Sequence, residues 1–452
     1  MSSLPADEYA AQLKRERELN PVQIDHLDDN VLAVLPDGIT VDTIVPSGAS
    51  AWCQTVRIDA RLGDGTVKRY FKKLTLPGKS QSGEVGRRMM EGTFQSETTY
   101  ASYCPQHVPK PIAFGEYASE PDTWFYLCEY HDMVDELPDM KSFVAIVAKV
   151  HKDSMGKSPT QKYGFAVPTH LANVPNDNNW QVSWETWYTQ AMEAMFQFEK
   201  ETHGEDHEFE ILFSDLKDKV IPRLLRPLET GGRSIEPCLI HSDLWPGNCM
   251  PDADSGEIMI FDSCGYWGHN ESDLGSWRAP RYRLGRPFLK EYQKIMGMSE
   301  PHCDWDDRNA LYALRYDLLL SGLYPNETKF RQLAKKEIKT LVDKFPDGLS
   351  EDDPLYSPSL ALATTANIAM SENYYQDQSN ATAHSGDIVL DPAIISALPK
   401  DATVIAARGH GVSNWNVTGY VEFVQKNREP TKWFLKVAFD RALQHKVFTH
   451  GG

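Results

Sequence analysis

The sequence predicts an α+β fold, a β-rich unit followed by a mainly helical one, and three observations lead there. Between about residues 38 and 76, short segments rich in β-branched and aromatic residues alternate with turn residues, the pattern of strands. Further on, Phe143, Ile146, Val147 and Val150 fall at i, i+3, i+4 and i+7, one face of a helix. Between helical segments lies "EPCLIHSDLWPGNCMPDADSGEIMIFDSCGYWGH", which reads as strand, loop, short strand, a D-S-G turn and another strand.

Residues 1–29 form an N-terminal extension with no apolar core segment. Residues 30–130 hold the strands "TVDTIV", "TVRIDARL" and "VKRYFKKLTL", with the turn "GDGT" between the last two. A helix near 84–103 and two further strands, "VPKPIAFGEY" and "WFYLCEY", complete that unit. Residues 131–346 are helical around 143–150, 183–200, 307–323 and 329–345. The stretch 347–390, rich in Pro, Ser, Asp and Asn, reads as a linker. Beyond it, residues 391–452 repeat the opening strands without a gap: Leu35/Leu398, Val41/Val404, Gly48/Gly411, Ser50/Ser413, Trp52/Trp415, Thr55/Thr418, Phe71/Phe434 and Lys73/Lys436. Such an echo marks a duplicated structural unit. The copy is expected to stop at a third strand, with no helix and no catalytic segment.

Bulk properties exclude some partners. The chain of 452 residues is 41% apolar, enough for one or two cores. Its net charge of −18 opposes binding to nucleic acid or to an anionic membrane, so a phosphate-bearing substrate needs a local cation. The seven cysteines are scattered and never form a C-x-x-C pair, which points to a reducing cytoplasm rather than to disulfides or zinc. No run approaches the ~18 apolar residues of a membrane span.

One constellation carries chemistry. Phosphoryl transfer from ATP to a hydroxyl requires a turn that approaches the phosphates, a lysine that neutralises them, a carboxylate that orients the hydroxyl, and oxygen ligands for Mg²⁺. Here "PSGASAW" supplies a turn with Gly48 and Ser50, and Lys73 lies on a following strand. Asp243, in the loop after "CLI", is the candidate proton acceptor; Asn248 and Asp262 are the candidate metal ligands. Lys72 stands next to Lys73, but the repeat aligns Lys436 with Lys73 and Leu435 with Lys72, which selects Lys73. "PGKS" at 77–80 is no nucleotide P-loop, because residue 73 would have to be glycine. "HGEDHE" at 203–208 reads as a solvated polar segment rather than a metal site.

"HSDLWPGN" followed by "IFDSCGYWGHNESDLG" resembles the fructosamine kinase (ketosamine 3-kinase) family, whose pattern runs H-G-D-L-W-x-G-N and then F-D-P-A-x-x-Y-G-H-x-E-x-D-L. "VPKPIAFGEY", the hinge-like "FYLCEY", "YGF" and "NNWQVSWETWY" add to the resemblance. It implies a protein-kinase-like bilobal fold, ATP with Mg²⁺, and phosphorylation of the 3-hydroxyl of a ketoamine, a glycated amine that is small or protein-bound. The phosphorylated adduct then breaks down and the amine is released, a deglycation repair. On this chain the resemblance implies Lys73 as the ATP lysine, Asp243 as catalytic base, and Asn248 and Asp262 as metal ligands. It further implies Glu129 and Tyr130 at the nucleotide hinge and Trp245 and His241 beside the substrate. His269, Glu271 and Asp273 are expected to brace the loop. Three positions depart from the pattern: Ser242 replaces a glycine, Ser263 a proline, and Thr93 the helix glutamate that should pair with Lys73. Glu97, one turn on along the same face, is expected to take that place.

Overall fold

Alternation along each strand decides what the first unit buries. The computed structural model describes residues 26–47, 53–75, 82–279, 284–349, 402–412, 416–425, 431–438 and 447–451. A short helix α1 (Asp29–Leu32) precedes β1 (Thr40–Pro46), β2 (Gln54–Arg61) and β3 (Val67–Leu74). Helix α2 (Gly83–Ala101), β4 (Pro111–Glu116) and β5 (Trp124–Glu129) follow. The strands form one antiparallel sheet in the order β1-β2-β3-β5-β4. The β2–β3 hairpin closes where Gly65 adopts φ +84 and Asp64 accepts from the Thr66 amide.

On one sheet face Val56, Ile58, Ala60, Tyr70, Phe125 and Leu127 pack with Leu27, Val31 and Leu35. The segment around α1 therefore belongs to this core, and the first unit begins by residue 27 rather than residue 30. Asp28 accepts from the Asn30 amide at the start of α1, and from the amides of Ala118 and Ser119 in the β4–β5 turn, fastening the segment to the sheet. On the opposite face Cys53, Tyr126 and Cys128 pack against Met89 and Met90 of α2. Lys73 stands directly across from Thr55 and Tyr126, on this helix-covered face. Lys72 points the other way, where its ammonium donates to the Tyr117 hydroxyl and lies 4.9 Å from that ring's centroid.

The second part of the main body is helical, as expected. It contains α3 (Met140–Ser154), a two-residue hairpin β6 (His170–Leu171) and β7 (Val174–Pro175), α4 (Trp184–His203), α5 (His207–Asp215) and α6 (Ile221–Leu225). Two small ladders come next: β8 (Cys238–Ile240) pairs with β11 (Tyr266–Gly268), and β9 (Cys249–Pro251) with β10 (Ile258–Ile260). Then follow α7 (Arg286–Met296), α8 (Trp305–Leu323) and α9 (Thr328–Lys344). Asp139 caps α3 through the Ser142 amide, and Phe143, Val144, Val147, Ala148 and Val150 are buried along it. Helix α8 is buried nearly all round. No helix among the described residues is long and apolar enough to cross a membrane.

The C-terminal residues belong to a second compact unit. Its strands β12 (Ala402–Val412), β13 (Asn416–Gln425), β14 (Thr431–Ala438) and β15 (Val447–Gly451) form a sheet in that order. The sequence echo extends to register. The first sheet shifts register between Val41 and Thr43, the second between the equivalent Val404 and Ala406. Lys436 faces Thr418 as Lys73 faces Thr55. The expectation of three strands is corrected by β15, which pairs with β14 in the register that β5 keeps with β3: Lys436 faces Phe448 as Lys73 faces Tyr126. "VFTHG" does not echo "FYLCEY", and the eight residues between β14 and β15 are too few for the helix and strand that lie between β3 and β5. Most of the expected linker lies outside the described residues.

Burial of the Lys72 ammonium pushes its pKa down to about 8, with only the charge of Asp28 opposing. Below about pH 8 the charge is buried in the folded state; between 8 and 10.5 the folded protein sheds this proton before the unfolded chain does, so stability rises with pH. Lys72→Met is expected to raise stability at pH 7 by roughly 1–2 kcal/mol and to remove that rise. Chemical denaturation at pH 7 and pH 9.5 checks both.

Candidate active site

Two loops leave the small ladders side by side. Residues 241–248 follow β8, and 261–265 join β10 to β11. The first loop hangs on one buried carboxylate: Asp273 accepts from the backbone amides of His241 at 2.9 Å and Ser242 at 2.6 Å. Its other partner is the His151 imidazole, 3.0 Å away on α3. Burial alone would raise the Asp273 carboxyl, but the hydrogen bond and charge of His151, with the His241 amide, hold it below the usual carboxylate range. These contacts secure Ser242 at φ +70, a left-handed conformation that favours glycine and costs about 1–2 kcal/mol for other residues.

Asp243 follows. Its backbone amide donates to His241 Nδ1, while Asn248 Nδ2 donates to both its carbonyl and its Oδ2, each at 2.9 Å. Burial first, and the charge of Asp262 second, push its carboxyl up to about 7. The resemblance implied His241 beside the substrate, but its ring offers no exposed surface there. It is fully buried, with Nε2 donating to the Phe261 carbonyl at 3.1 Å and its ring edge-on to Tyr100. Burial pulls its pKa down to about 4, so the neutral ring joins the two loops.

In the second loop Asp262 adopts φ +64, and its side chain, 44% exposed, forms an ion pair with Lys73. Helix α2 grips the residues just after it. Glu97 accepts from the Ser263 amide, Ser96 Oγ lies 2.7 Å from Ser263 Oγ, and the Gly265 amide donates to Ser96. The proline-to-serine departure thus supplies both an amide and a hydroxyl for docking the helix. Among the described residues Lys73 pairs with Asp262 and not with Glu97, although the lysine's charge reaches Glu97. Glu97 is buried, and that burial raises its carboxyl to about 7. Thr93 turns back to its own helix, donating to the Met89 carbonyl.

Glu129 faces Tyr70, on the sheet face away from Lys73, so a nucleotide on the Lys73 face would meet its backbone only. The amide of Tyr130 donates to the Arg69 carbonyl, and the Arg57 guanidinium lies over its ring. Trp245 is partly buried and passes over Gly247, where an added Cβ would sit 2.2 Å from the indole. His269 meets Tyr312 and Ser299, and Glu271 pairs with Arg308 in a buried network that braces the segment after β11. Gly48, Ser50 and "PGKS" lie outside the described residues. The "HGEDHE" segment ends α4 and, through Asp206, caps α5. None of the seven cysteines, all among the described residues, is in a disulfide.

Sequence reasoning missed His151, Asn176 and Arg315, all buried around these loops. The one available signal was Arg315, with Asp317 two residues on, inside the largely apolar "ALYALRYDLLLSGL".

A family model described as fructosamine kinase matches residues 78–344. A chloroplastic protein-ribulosamine 3-kinase of Oryza sativa subsp. indica is 28% identical over 253 residues, 53% of this chain and 67% of that protein. A ketosamine-3-kinase of Mus musculus is 29% identical over 247 residues, 49% of this chain and 76% of the other. A crystal structure from Haemophilus somnus 129PT, described as a fructosamine-3-kinase, superposes with TM-score 0.54 at 19% identity, covering 69% of this chain and 96% of that one. At that identity the likeness establishes the fold, a bilobal protein-kinase-like one.

Because a methyl at residue 247 would overlap the indole, Gly247→Ala is expected to displace Trp245 while the fold survives. Near-ultraviolet circular dichroism should change with the far-ultraviolet spectrum unaltered, and turnover should fall about 10- to 100-fold. An unchanged rate would remove Trp245 from the reaction site.

Proposed function

Because the chain belongs to the fructosamine kinase family, we propose that it is an ATP-dependent phosphotransferase acting on the 3-hydroxyl of ketoamines, a deglycation repair enzyme working with Mg²⁺. The observation that carries this reading is the convergence of four side chains: Asn248 bonded to Asp243, Lys73 paired with Asp262, and the two aspartates close enough to act on each other's charge.

The donor set suits a hard divalent cation. Asn248 spends its amide nitrogen on Asp243, which leaves its carbonyl oxygen for a metal, and Asp262 offers a half-exposed carboxylate. Two protein oxygens are what Mg²⁺ commonly takes when phosphates and water complete its shell. Bound there, the ion would neutralise phosphate charge during transfer. Asp243 orients the ketoamine hydroxyl and accepts its proton. Lys73 moves from Asp262 to the phosphates, and Glu97 keeps Asp262 in place by holding the next amide. Trp245 forms a wall for the sugar. Seven free thiols support a reducing compartment, and we place the reaction in the cytoplasm.

A panel assay tests the proposal. ATP consumption is expected with fructosamine and ribulosamine adducts of lysine, and not with aminoglycosides or choline; phosphate on the latter two alone would end the ketoamine reading. Asp243→Asn is expected to lower kcat by ~10²- to 10⁴-fold, the scale for removing a proton-handling group. Turnover that survives this change intact would leave the assigned base without a role.

A further inference from the structure

Arg315, on α8, is 3% exposed and carries its charge into the interior. Its hydrogen-bond partners are all neutral. Nη1 donates to Ser242 Oγ at 2.7 Å and to the Tyr266 hydroxyl at 3.1 Å, and Nη2 donates to Asn176 Oδ1 at 2.6 Å. Its Nε finds no hydrogen-bond partner among the described residues. Other buried arginines among the described residues are matched to carboxylates, as Arg308 is to Glu271 and Arg57 to Asp59. A buried cation with only neutral partners is costly, so packing alone does not account for it.

The two arms of the guanidinium lead to the two loops of the site. Ser242 immediately precedes Asp243, and each of its polar groups is held from outside its own loop: the amide by Asp273, the carbonyl by the Tyr316 hydroxyl at 2.9 Å, and the side chain by Arg315. On the other side, Asn176 Nδ2 donates to Thr169 Oγ1 at 3.0 Å and reaches the Cys264 carbonyl at 3.4 Å, while Thr169 Oγ1 donates to the same carbonyl at 3.0 Å. Cys264 lies two residues after Asp262. The planar fork of arginine therefore spans from the residue before one reacting carboxylate to a support just beyond the other.

We infer that Arg315 is a positioning residue for phosphoryl transfer: by bridging Ser242 and Asn176 it sets the spacing between the Asp243 and Asp262 loops. The inference rests on the ketoamine kinase reading of the same site. It also gives Ser242 a purpose. The hydroxyl that replaces the family's glycine supplies the acceptor for one arm of the bridge, in a backbone conformation otherwise unfavourable to serine. The positive charge acts on Asp243 through space as well, opposing the lift that burial and Asp262 impose. Two like charges brought together need their separation held, because small displacements of reacting groups cost large factors in rate.

The test uses Arg315→Lys, which keeps the charge but cannot fork to both partners, and Asn176→Ala, which leaves the arginine and removes the far arm. Each is expected to lower kcat on a fructosamine substrate about 10- to 100-fold, the scale seen when groups that orient reacting ligands are lost, with KM for ATP and for the acceptor changed less than about 3-fold. Because both act through one bridge, the double variant should be no more than about 3-fold slower than the slower single variant. A merely structural role would lower the thermal midpoint while kcat per folded molecule stayed at the wild-type value, and that result overturns the inference. Multiplicative losses in the double variant overturn it too. Wild-type protein inactive on every acceptor would overturn both this and the kinase reading, whereas active wild type with unimpaired variants overturns this one alone.

Discussion

Three carboxylates, Asp243, Asp262 and Glu97, are drawn together where, among the described residues, only Asp262 touches a cation, and this crowding governs the site. Lys73 satisfies Asp262 alone. Burial and the field of Asp262 raise the carboxyls of both Asp243 and Glu97 to about 7, well above an ordinary carboxylate. Bringing like charges this close in a half-buried setting is unfavourable unless further positive charge joins them. On the proposed reading, a magnesium-bound nucleotide would bring Mg²⁺ to the carboxylates, and its phosphates would give Lys73 a second partner. The same arrangement that burdens the free protein would then favour binding of that ligand.

Holding such a cluster requires a rigid frame, and the frame comes from backbone groups more than from the reacting side chains. Ser242 and Asp262 both take left-handed backbone conformations. Each is fastened by a carboxylate from another element: Asp273 collects the amides of His241 and Ser242, and Glu97 takes the amide of Ser263. The neutral His241 then joins the loops by receiving the Asp243 amide and donating to the Phe261 carbonyl. Asp273 and Glu97 therefore perform parallel tasks from opposite sides of the site.

How much of this could be read in the sequence follows from how local each signal was. The strands of the first unit and the helices of the second were legible because alternation and helical spacing act over a few residues. The choice of Lys73 over Lys72 was legible because the repeat offered a second copy in the same register, and the sheet pairs both copies alike. The bracing role of Asp273 was foreseen, but its partner His151 was not, since nothing local marks a histidine on an apolar helix face as the mate of a residue over a hundred positions away. The burial of His241 escaped for a related reason: the Tyr100 ring and the Phe261 carbonyl that enclose it lie far from it in sequence. Glu97 was foreseen at the site, but its hydrogen bond goes to the Ser263 amide. The second sheet's fourth strand escaped because it shares register with β5, and register leaves no mark on a single strand's composition.

The account stands or falls on whether the four converging groups surround one metal-bound nucleotide. The most direct measurement is a crystal structure with Mg²⁺ and a non-hydrolysable ATP analogue. One Mg²⁺ is expected at about 2.0–2.1 Å from oxygens of both Asn248 and Asp262, with Lys73 on a phosphate and Asp243 left facing the acceptor side. A nucleotide bound with its metal away from Asn248 and Asp262, or with Lys73 still engaged only by Asp262, would contradict it.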